Sequence, residues 1–244
     1  HPDHAGNAAW LAQRSGAPVW LADAEHDALH RLWRGSIKQA EEVTAFFVRW
    51  GIPADQCLNI LGMLKYFRYG CPALDDCMTA PLADGQCLRI GDRDWQLHVG
   101  AGHTPANVAL YAPRDGLLIS GDHLLPTIYP NISVWWGAAS DPLRDYLDSL
   151  PRFAALAPRR VLPSHGPLFG DLPQRIDEIT RFHRRRMLRA LAQCAQPCTA
   201  YESIAAVVHK PATGPVVGLV AGQVLATFAW LESEGLLERV DDQP

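Results

Sequence analysis

The sequence of 244 residues is 48% apolar, which is enough for one large hydrophobic core and a small appended region. A formal charge of −4 argues against a protein that binds nucleic acid through a dominant basic surface. Proline, glycine or charge interrupts the apolar runs before they reach transmembrane length, so no membrane partner is expected.

The amino-terminal segment HPDHAG places His1, Asp3 and His4 close together in the chain. Imidazole and carboxylate groups are the ligands that zinc and related metals use in proteins, so this segment is a candidate metal-binding motif. The next apolar segment, APVWLA at residues 17–22, is typical of a short buried strand.

A helical region is predicted over residues 24–69, because apolar side chains recur there at helical spacing. Gly51-Ile52-Pro53 interrupts the pattern, and the spacing resumes after it. We therefore expect helices on both sides of a break at residues 51–53.

Four strands are predicted between residues 86 and 122, in the segments CLRI, WQLHVG, VALYA and LLIS. Asp92 and Asp115-Gly116 are typical of hairpin turns and separate members of this series. A helix is then expected over residues 142–157, with Pro142 at its first position.

Three more ligand-type residues follow predicted strands, where each apolar run gives way to glycine, proline or serine. His103 lies in GAGHTP, Asp122 in LLISGDH, and His165 in VLPSHG after a strand at residues 160–163. Side chains at such strand ends converge on a common face in layered α/β folds. The sequence therefore predicts a metal site built from loops on a sheet.

These motifs resemble those of the metallo-β-lactamase superfamily, whose pattern is H-x-H-x-D-H-x-G, then a later His, an Asp in GD, and a His after a strand. The matching positions, in the same order, are His1, Asp3, His4, His103, Asp122 and His165. The first His of the pattern would precede residue 1, so we expect a missing amino-terminal segment. A second departure is Ala106-Asn107, where many members have Gly-His.

The resemblance implies an α/β fold, an αββα sandwich of two mixed sheets. Residues 1–172 would form the catalytic domain, with a helical insertion at about 24–80 that roofs the site. Residues 173–244 would form a helical, winged-helix-like tail that ends in the strand-like LLERV at 236–240. The insertion then offers candidate pocket walls at Met63, Tyr66, Phe67 and Tyr69, although packing of a helix on the sheet explains each of them as well.

The resemblance also implies two metal ions, zinc by default, with iron or manganese as alternatives. His1 and His103 would hold one ion together with the missing His. Asp3, His4 and His165 would hold the other, and Asp122 would bridge both ions. Asp3 and Asp122 are thus the expected catalytic carboxylates of a hydrolase in which a metal-bridging hydroxide attacks an ester-like carbonyl.

A small-molecule thioester is the favoured substrate, because the motifs and the insertion are most similar to the glyoxalase II-like portion of the superfamily. One alternative is a metal-dependent RNA or phosphodiester nuclease, suggested by the tail and by Arg184–Arg186, a run that more often is a solvated helix face. Another is a catalytically impaired metal-binding module, if the first His is truly absent.

The loop at residues 124–136 contains the candidate substrate contacts Tyr129 and Asn131, whose side chains can donate to an oxyanion. The alternative is that Trp135 and Trp136 close the core while Asn131 caps a turn. His123 is either a donor that orients Asp122 or a structural residue. The remaining histidines, His26, His30, His98, His183 and His209, are expected to be surface or core residues.

Two expectations concern the setting of the protein. Six cysteines without zinc-knuckle or CxxC spacing indicate reduced thiols and a cytoplasmic location. The segment Val216–Leu231 is apolar on more than one face, which fits either a homodimer or docking within the chain.

Overall fold

The computed structural model describes residues 1–33, 37–71, 78–209, 214 and 216–240. Its helices and strands alternate as in an α/β fold, which confirms the predicted class. In chain order they are α1 (Pro2–Ala5), α2 (Ala8–Ser15), β1 (Val19–Leu21), α3 (Asp23–Trp33), α4 (Ile37–Arg49), α5 (Ala54–Gly70), β2 (Met78–Pro81), β3 (Cys87–Ile90), β4 (Arg93–Gly100), β5 (Asn107–Ala112), β6 (Leu117–Gly121), α6 (Pro142–Ala155), β7 (Arg160–Pro163), α7 (Leu172–Gln193), α8 (Ile204–Val208) and α9 (Val217–Ser233).

The larger sheet has five strands in the order β3-β4-β5-β6-β7. The first three pairings are antiparallel, and β6 pairs with β7 in parallel. This arrangement makes β4, β6 and β7 run in the same direction, so their carboxyl ends lie along one edge. The residues that follow these three strands are therefore brought to the same end of the sheet.

A second sheet is formed by the parallel pair β1 and β2, with Val19 opposite Met78 and Leu21 opposite Pro81. The strand at β1 was predicted, whereas β2 and the helix α2 were not. A strand of four residues in a segment without alternating polarity carries little periodic signal.

The predicted break between the insertion helices is confirmed, since α4 ends at Arg49 and α5 begins at Ala54. Gly51 has φ of +85°, and a Cβ atom there would lie 2.5 Å from the Cβ atom of Thr199. Glycine is required at this turn because of both its backbone conformation and the close approach of the carboxyl-terminal region.

Helix α6 begins as predicted with Pro142 in its first turn, and the structure shows Asp141 as its cap. The Asp141 carboxylate accepts a hydrogen bond of 3.0 Å from the Arg144 amide. The buried face of α6, which includes Tyr146 and Phe153, packs against β4. Capping and packing together fix this helix behind the strands that carry the candidate ligands.

A buried polar network joins α6 to the residue after Asp122. The ring Nε2 of His123 lies 2.8 Å from the Ser149 hydroxyl, which itself donates to the Tyr146 carbonyl at 2.6 Å. The Tyr146 hydroxyl donates to the His123 carbonyl at 3.0 Å. Since the Ser149 proton is used elsewhere, Nε2 of His123 is the donor, and this backbone segment is held from two sides.

The carboxyl-terminal helices share the main core rather than forming an independent layer. Helix α9 packs against α5, α6, α7 and α8, and most of its apolar residues are buried there. The apolar faces that suggested a homodimer are thus used within the chain. The predicted strand at Leu236–Val240 is wrong, because this segment follows the turn at Gly235 without regular structure.

The interpretation of Arg184–Arg186 as a solvated run is also wrong at one position. Arg186 is only 9% exposed, and its guanidinium carbon lies 4.4 Å from the centre of the Phe182 ring. Burial and the charge of Arg189 lower the pKa of Arg186 to about 10. Arg184 and Arg185 remain exposed.

Within the described ranges, no helix combines the length and the apolar character that crossing a membrane requires.

We expect the substitution His183→Phe to make the free energy of unfolding less dependent on pH between pH 7 and pH 5. His183 is 1% exposed, and burial, followed by the charge of Arg186, lowers its pKa to about 3. Since an unfolded His has a pKa of about 6.5, the unfolded state alone takes up a proton as the pH falls below that value. At pH 5 this costs about 2 kcal/mol of the free energy of unfolding.

The measurement is urea unfolding of the metal-free protein and of the variant at pH 7 and pH 5. His123 also has a pKa of about 3 because of burial, so the variant should lose about half of the change with pH. An unchanged pH dependence would show that His183 is not buried in its neutral form.

We expect Ser149→Ala to lower the free energy of unfolding by about 1–3 kcal/mol, because it leaves the buried Nε2–H of His123 without an acceptor. Urea unfolding at pH 7 measures the effect. The matched control is Ser140→Ala at an exposed position, which should change stability by less than about 0.5 kcal/mol. Equal effects of the two substitutions would contradict the network.

Candidate metal centre

The ligand-type residues predicted from the sequence come together at the carboxyl edge of the larger sheet. His103 follows β4, Asp122 follows β6 and His165 follows β7. The short helix α1 brings Asp3 and His4 to the same place. This helix packs against the end of α5, where a Cβ atom on Gly70 would lie 2.7 Å from the Cβ atom of Pro2.

Asp122 lies at the middle of the cluster, and its two carboxylate oxygens face different histidines. Oδ2 is 3.0 Å from His4 Nε2 and 3.4 Å from His103 Nε2, whereas Oδ1 is 3.4 Å from His165 Nε2. Asp3 completes the outer part, with its Oδ2 at 3.3 Å from His165 Nε2. The Asp122 carboxylate is therefore shared between two sets of side chains.

Two groups of residues have the proximity that a metal ion requires, with ligand atoms within 4.8 Å of one another. The first consists of His1, His103 and Asp122, and the second of Asp3, His4 and His165. The rings of His1 and His103 lie 4.9 Å apart, and those of His4 and His165 lie 5.4 Å apart. All six predicted positions belong to one of these groups.

The tautomer of His103 follows from its neighbour on the other side of the ring. Its Nδ1 lies 2.9 Å from the carbonyl oxygen of Asn131, which can only accept, so Nδ1 carries the proton. A neutral His103 ring then points the lone pair of Nε2 towards the Asp122 carboxylate. Two hydrogen-bond acceptors thus face each other at 3.4 Å.

The chemistry of these atoms fits a metal ion. Both His103 Nε2 and Asp122 Oδ1 are buried without a hydrogen-bond partner. Unpartnered buried polar atoms are costly, and cations bound on the two sides of the Asp122 carboxylate, one beside His103 Nε2 and one beside Oδ1, would satisfy them. An imidazole ring oriented by a carbonyl group on its far nitrogen is a common feature of metal sites, and nitrogen with carboxylate oxygen is a donor set that zinc accepts.

The ionisation of Asp122 results from opposing effects. Burial raises its pKa, but His103 and His4, when their rings carry a second proton, outweigh this through hydrogen bonds and positive charge and lower the pKa to about 2. The carboxylate is thus anionic at neutral pH.

The two groups differ in exposure. The side chains of His103 and Asp122 are 8% and 13% exposed, whereas those of His165 and Asp3 are 42% and 55% exposed. His103 and Asp122 therefore lie inside the protein, whereas His165, Asp3 and the chain start at His1 are open to solvent.

The insertion also fixes the loop that carries His103. The Glu25 carboxylate of α3 accepts a hydrogen bond of 2.7 Å from the Ala106 amide. Asn107, at the position that departs from the family pattern, donates its side-chain amide to the Ser120 carbonyl at 3.1 Å. Asn107 thus connects the start of β5 to the end of β6.

The two predicted substrate contacts lie in different surroundings. The Tyr129 ring stacks on Phe182 of α7 at 3.7 Å, and the Arg175 guanidinium carbon lies 4.6 Å from its centre. Asn131 lies beside the centre, where its carbonyl orients His103 and its side-chain oxygen accepts from Ser133 at 3.1 Å. A direct role in substrate binding stays a prediction for both residues.

Sequence reasoning missed Arg175, which is 5% exposed. It donates to the Leu125 carbonyl at 2.6 Å and to the Ile128 carbonyl at 2.7 Å, and thereby holds the loop that follows Asp122. A single arginine in a helix has no periodic or motif signal, so its role is visible only in the folded chain.

A cavity of about 330 Å³ adjoins the more buried side of the centre, with His1 and His103 in its wall. Of the four predicted pocket walls, Phe67 lines this cavity. Tyr66 and Tyr69 are 68% and 73% exposed, which corrects the expectation for them, and Met63 is not part of the described lining. Leu64, one helical turn before Phe67, takes part instead.

Two solved structures resemble this chain over nearly its full length. A metallo-beta-lactamase family protein from Thermus thermophilus is 28% identical, with a TM-score of 0.82 over 99% of this chain and 74% of that one. A beta-lactamase domain protein from Burkholderia ambifaria is also 28% identical, with a TM-score of 0.80 over 97% and 67% of the respective chains.

A curated relative, the hydroxyacylglutathione hydrolase of Rhodobacter capsulatus, is 36% identical over 90 residues, which are 35% of this chain and 31% of that protein. The lactamase-like protein nscB of Neosartorya fischeri is 25% identical over 114 residues, 47% of this chain and 32% of that protein. The chain thus matches about a third of the length of each curated relative. The family model described as the metallo-beta-lactamase superfamily matches residues 1–165, more than half of the chain, and the protein therefore belongs to this superfamily.

Proposed function

We propose that the protein is a hydrolase that depends on two transition-metal ions, with zinc as the first choice, and that it cleaves a small ester-like substrate. The observation that carries this proposal is the opposition of His103 Nε2 and the Asp122 carboxylate, two acceptors at 3.4 Å. Two acceptors in this position repel each other when no cation is bound, whereas both can bind a cation placed between them.

The ions would be held by the two groups of side chains. His1 and His103 would hold one, Asp3, His4 and His165 the other, and Asp122 would bridge them. The direction of the Asp122 oxygens supports the bridge, since Oδ2 faces His103 and Oδ1 faces His165. Iron and manganese accept similar donors and remain alternatives to zinc.

When bound, a pair of such ions supplies a water-derived nucleophile at neutral pH and stabilises the charge that develops on a carbonyl oxygen. The residues of the chain orient the site and exchange protons. The Asn131 carbonyl fixes the His103 ring through Nδ1. Asp3 Oδ2 lies on the exposed side, where it can take a proton from the reacting water and pass it to the solvent.

A thioester is the favoured substrate within this proposal. The name of the Rhodobacter capsulatus relative, a hydroxyacylglutathione hydrolase, supports this class, although the match covers a third of that protein. A phosphodiester or RNA substrate is less favoured, because burial of Arg186 leaves a smaller basic surface than the sequence suggested. A homodimer and a cytoplasmic location stay predictions.

We expect elemental analysis of the full-length protein to find about two transition-metal ions per chain. Asp122→Ala should lose both ions because the shared carboxylate is removed, whereas Asp3→Ala should keep about one. Asp92→Ala, an exposed carboxylate in the β3–β4 turn, is the matched control and should bind metal normally. A single ion or none in the unaltered protein would contradict the dinuclear centre and favour a catalytically impaired metal-binding module.

Removal of the metal should abolish hydrolysis of acyl thioesters, and addition of Zn²⁺ should restore it. The measurement is thiol release from acyl-N-acetylcysteamine substrates before and after treatment with a chelator. Esters, lactones and single-stranded RNA are assayed in parallel with the same preparations. Metal-dependent RNA cleavage without thioester hydrolysis would contradict the proposed class and support a nuclease.

A further inference from the structure

The cavity beside the metal centre has an apolar wall. It extends from His1 and His103 under the insertion, and its large apolar residues come from five separate parts of the chain. These residues are Leu21, Leu29, Leu64, Phe67, Trp135, Trp136 and Leu219. A concave apolar surface that begins at a reactive centre is the usual form of a binding site for a small ligand.

The shape of the wall is fixed by packing behind it. The Trp135 ring lies 5.0 Å from the buried Phe47 ring in an edge-to-face arrangement. On another side, a Cβ atom on Gly218 would lie 3.0 Å from the Trp135 ring, so α9 approaches this ring as closely as glycine permits. The tryptophan is thus held between the insertion and the carboxyl-terminal helix, and the cavity is largely preformed.

Three polar groups in the lining are engaged with the protein itself, and the charged side chains of Arg31 and Asp145 also belong to the lining. The Glu25 carboxylate accepts from the Ala106 amide at 2.7 Å. The Ser133 hydroxyl donates to the Asn131 side chain at 3.1 Å, and the Gln39 amide donates to the Arg31 carbonyl at 2.8 Å. A charged ligand group beside these three groups would compete with existing hydrogen bonds, and most of the remaining wall is apolar, where an unpaired buried charge is costly.

The opposite side of the centre has the reverse character. The side chains of His4, His165 and Asp3 are 35%, 42% and 55% exposed. A substrate whose reacting carbonyl lies at the centre would thus have one end among apolar side chains and the other end in water.

From this asymmetry we infer that the substrate carries an uncharged alkyl or aryl group of about 6 to 12 carbon atoms, which fills the cavity while the polar end of the molecule faces solvent. The size follows from the volume, since an apolar cavity of about 150 Å³ holds one benzene ring. The inference rests on the proposed hydrolase function and specifies its substrate class.

Burial of each methylene group should raise the specificity constant kcat/KM about fourfold until the cavity is full. The experiment uses two series of thioesters. In one, acyl groups from acetyl to dodecanoyl are attached to N-acetylcysteamine, and in the other, acetyl is attached to alkane thiols of increasing length. A rise in either series supports the inference and identifies which side of the scissile bond occupies the cavity.

A second measurement does not depend on catalysis. Because Trp135 and Trp136 line the cavity, binding of butanol, hexanol and octanol to the metal-free protein should change tryptophan fluorescence. We expect the affinity to increase about fourfold per methylene. Fluorescence that does not respond to chain length would overturn the inference, whatever the enzyme assays show.

The variant Ala28→Phe places a bulky ring in the wall and should shift the preferred chain to one shorter by about 4 to 6 carbons. Ala24→Phe is the matched control, since Ala24 is exposed on the same helix and should leave the preference unchanged. Leu64→Trp fills the cavity from α5 and replaces Ala28→Phe if that variant does not fold. The same length preference in both cavity variants and the control would overturn the inference.

The outcomes separate the two proposals. Hydrolysis that requires metal but is independent of chain length, with no graded alcohol binding, would contradict the apolar subsite and leave the hydrolase proposal intact. Alcohol binding that increases with chain length, without hydrolysis of any thioester or ester, would support the apolar subsite and contradict the hydrolase proposal.

Discussion

The carboxylate of Asp122 is the constraint on which this site depends. It is 13% exposed, yet it is an anion at neutral pH and lies among three histidines. Its position is set by parallel pairing of β6 with β7 and by Gly121, whose φ of +58° turns the chain at the strand end. The buried hydrogen bonds of His123 with α6 then hold the residue after it. The site is thus part of the sheet architecture rather than a loop added to it.

Local sequence patterns predicted the parts of the site that depend on local structure. Strand ends at His103, Asp122 and His165 follow from apolar runs that give way to glycine, proline or serine, and the start of α6 follows from Pro142. Long-range packing decided what the sequence did not predict. The pairing of β1 with β2 joins segments almost sixty residues apart, and burial of Arg175 and Arg186 depends on how α7 lies against the loop and the other helices.

The strand-like segment at Leu236–Val240 illustrates the limit of composition as a guide. Its alternation of apolar and charged residues suits a strand, but a strand also needs an edge with which to pair. In the described part of the chain, this segment lies after the end of α9 and has no such partner strand. The helices that pack around α9 close the core instead, and α9 of the tail thereby packs directly against α5 of the insertion.

This shared core connects the carboxyl-terminal helices to the chemistry. Phe47 of α4 and Gly218 of α9 both contact Trp135, and Trp135 forms part of the cavity next to His103. A change in the packing of α9 would therefore alter the cavity without touching a metal ligand. The apolar wall lies beside His103 and Asp122, the more buried part of the centre, where a lower local dielectric would strengthen the attraction between a cation and Asp122. The same residues that would select an apolar substrate thereby favour retention of the ion.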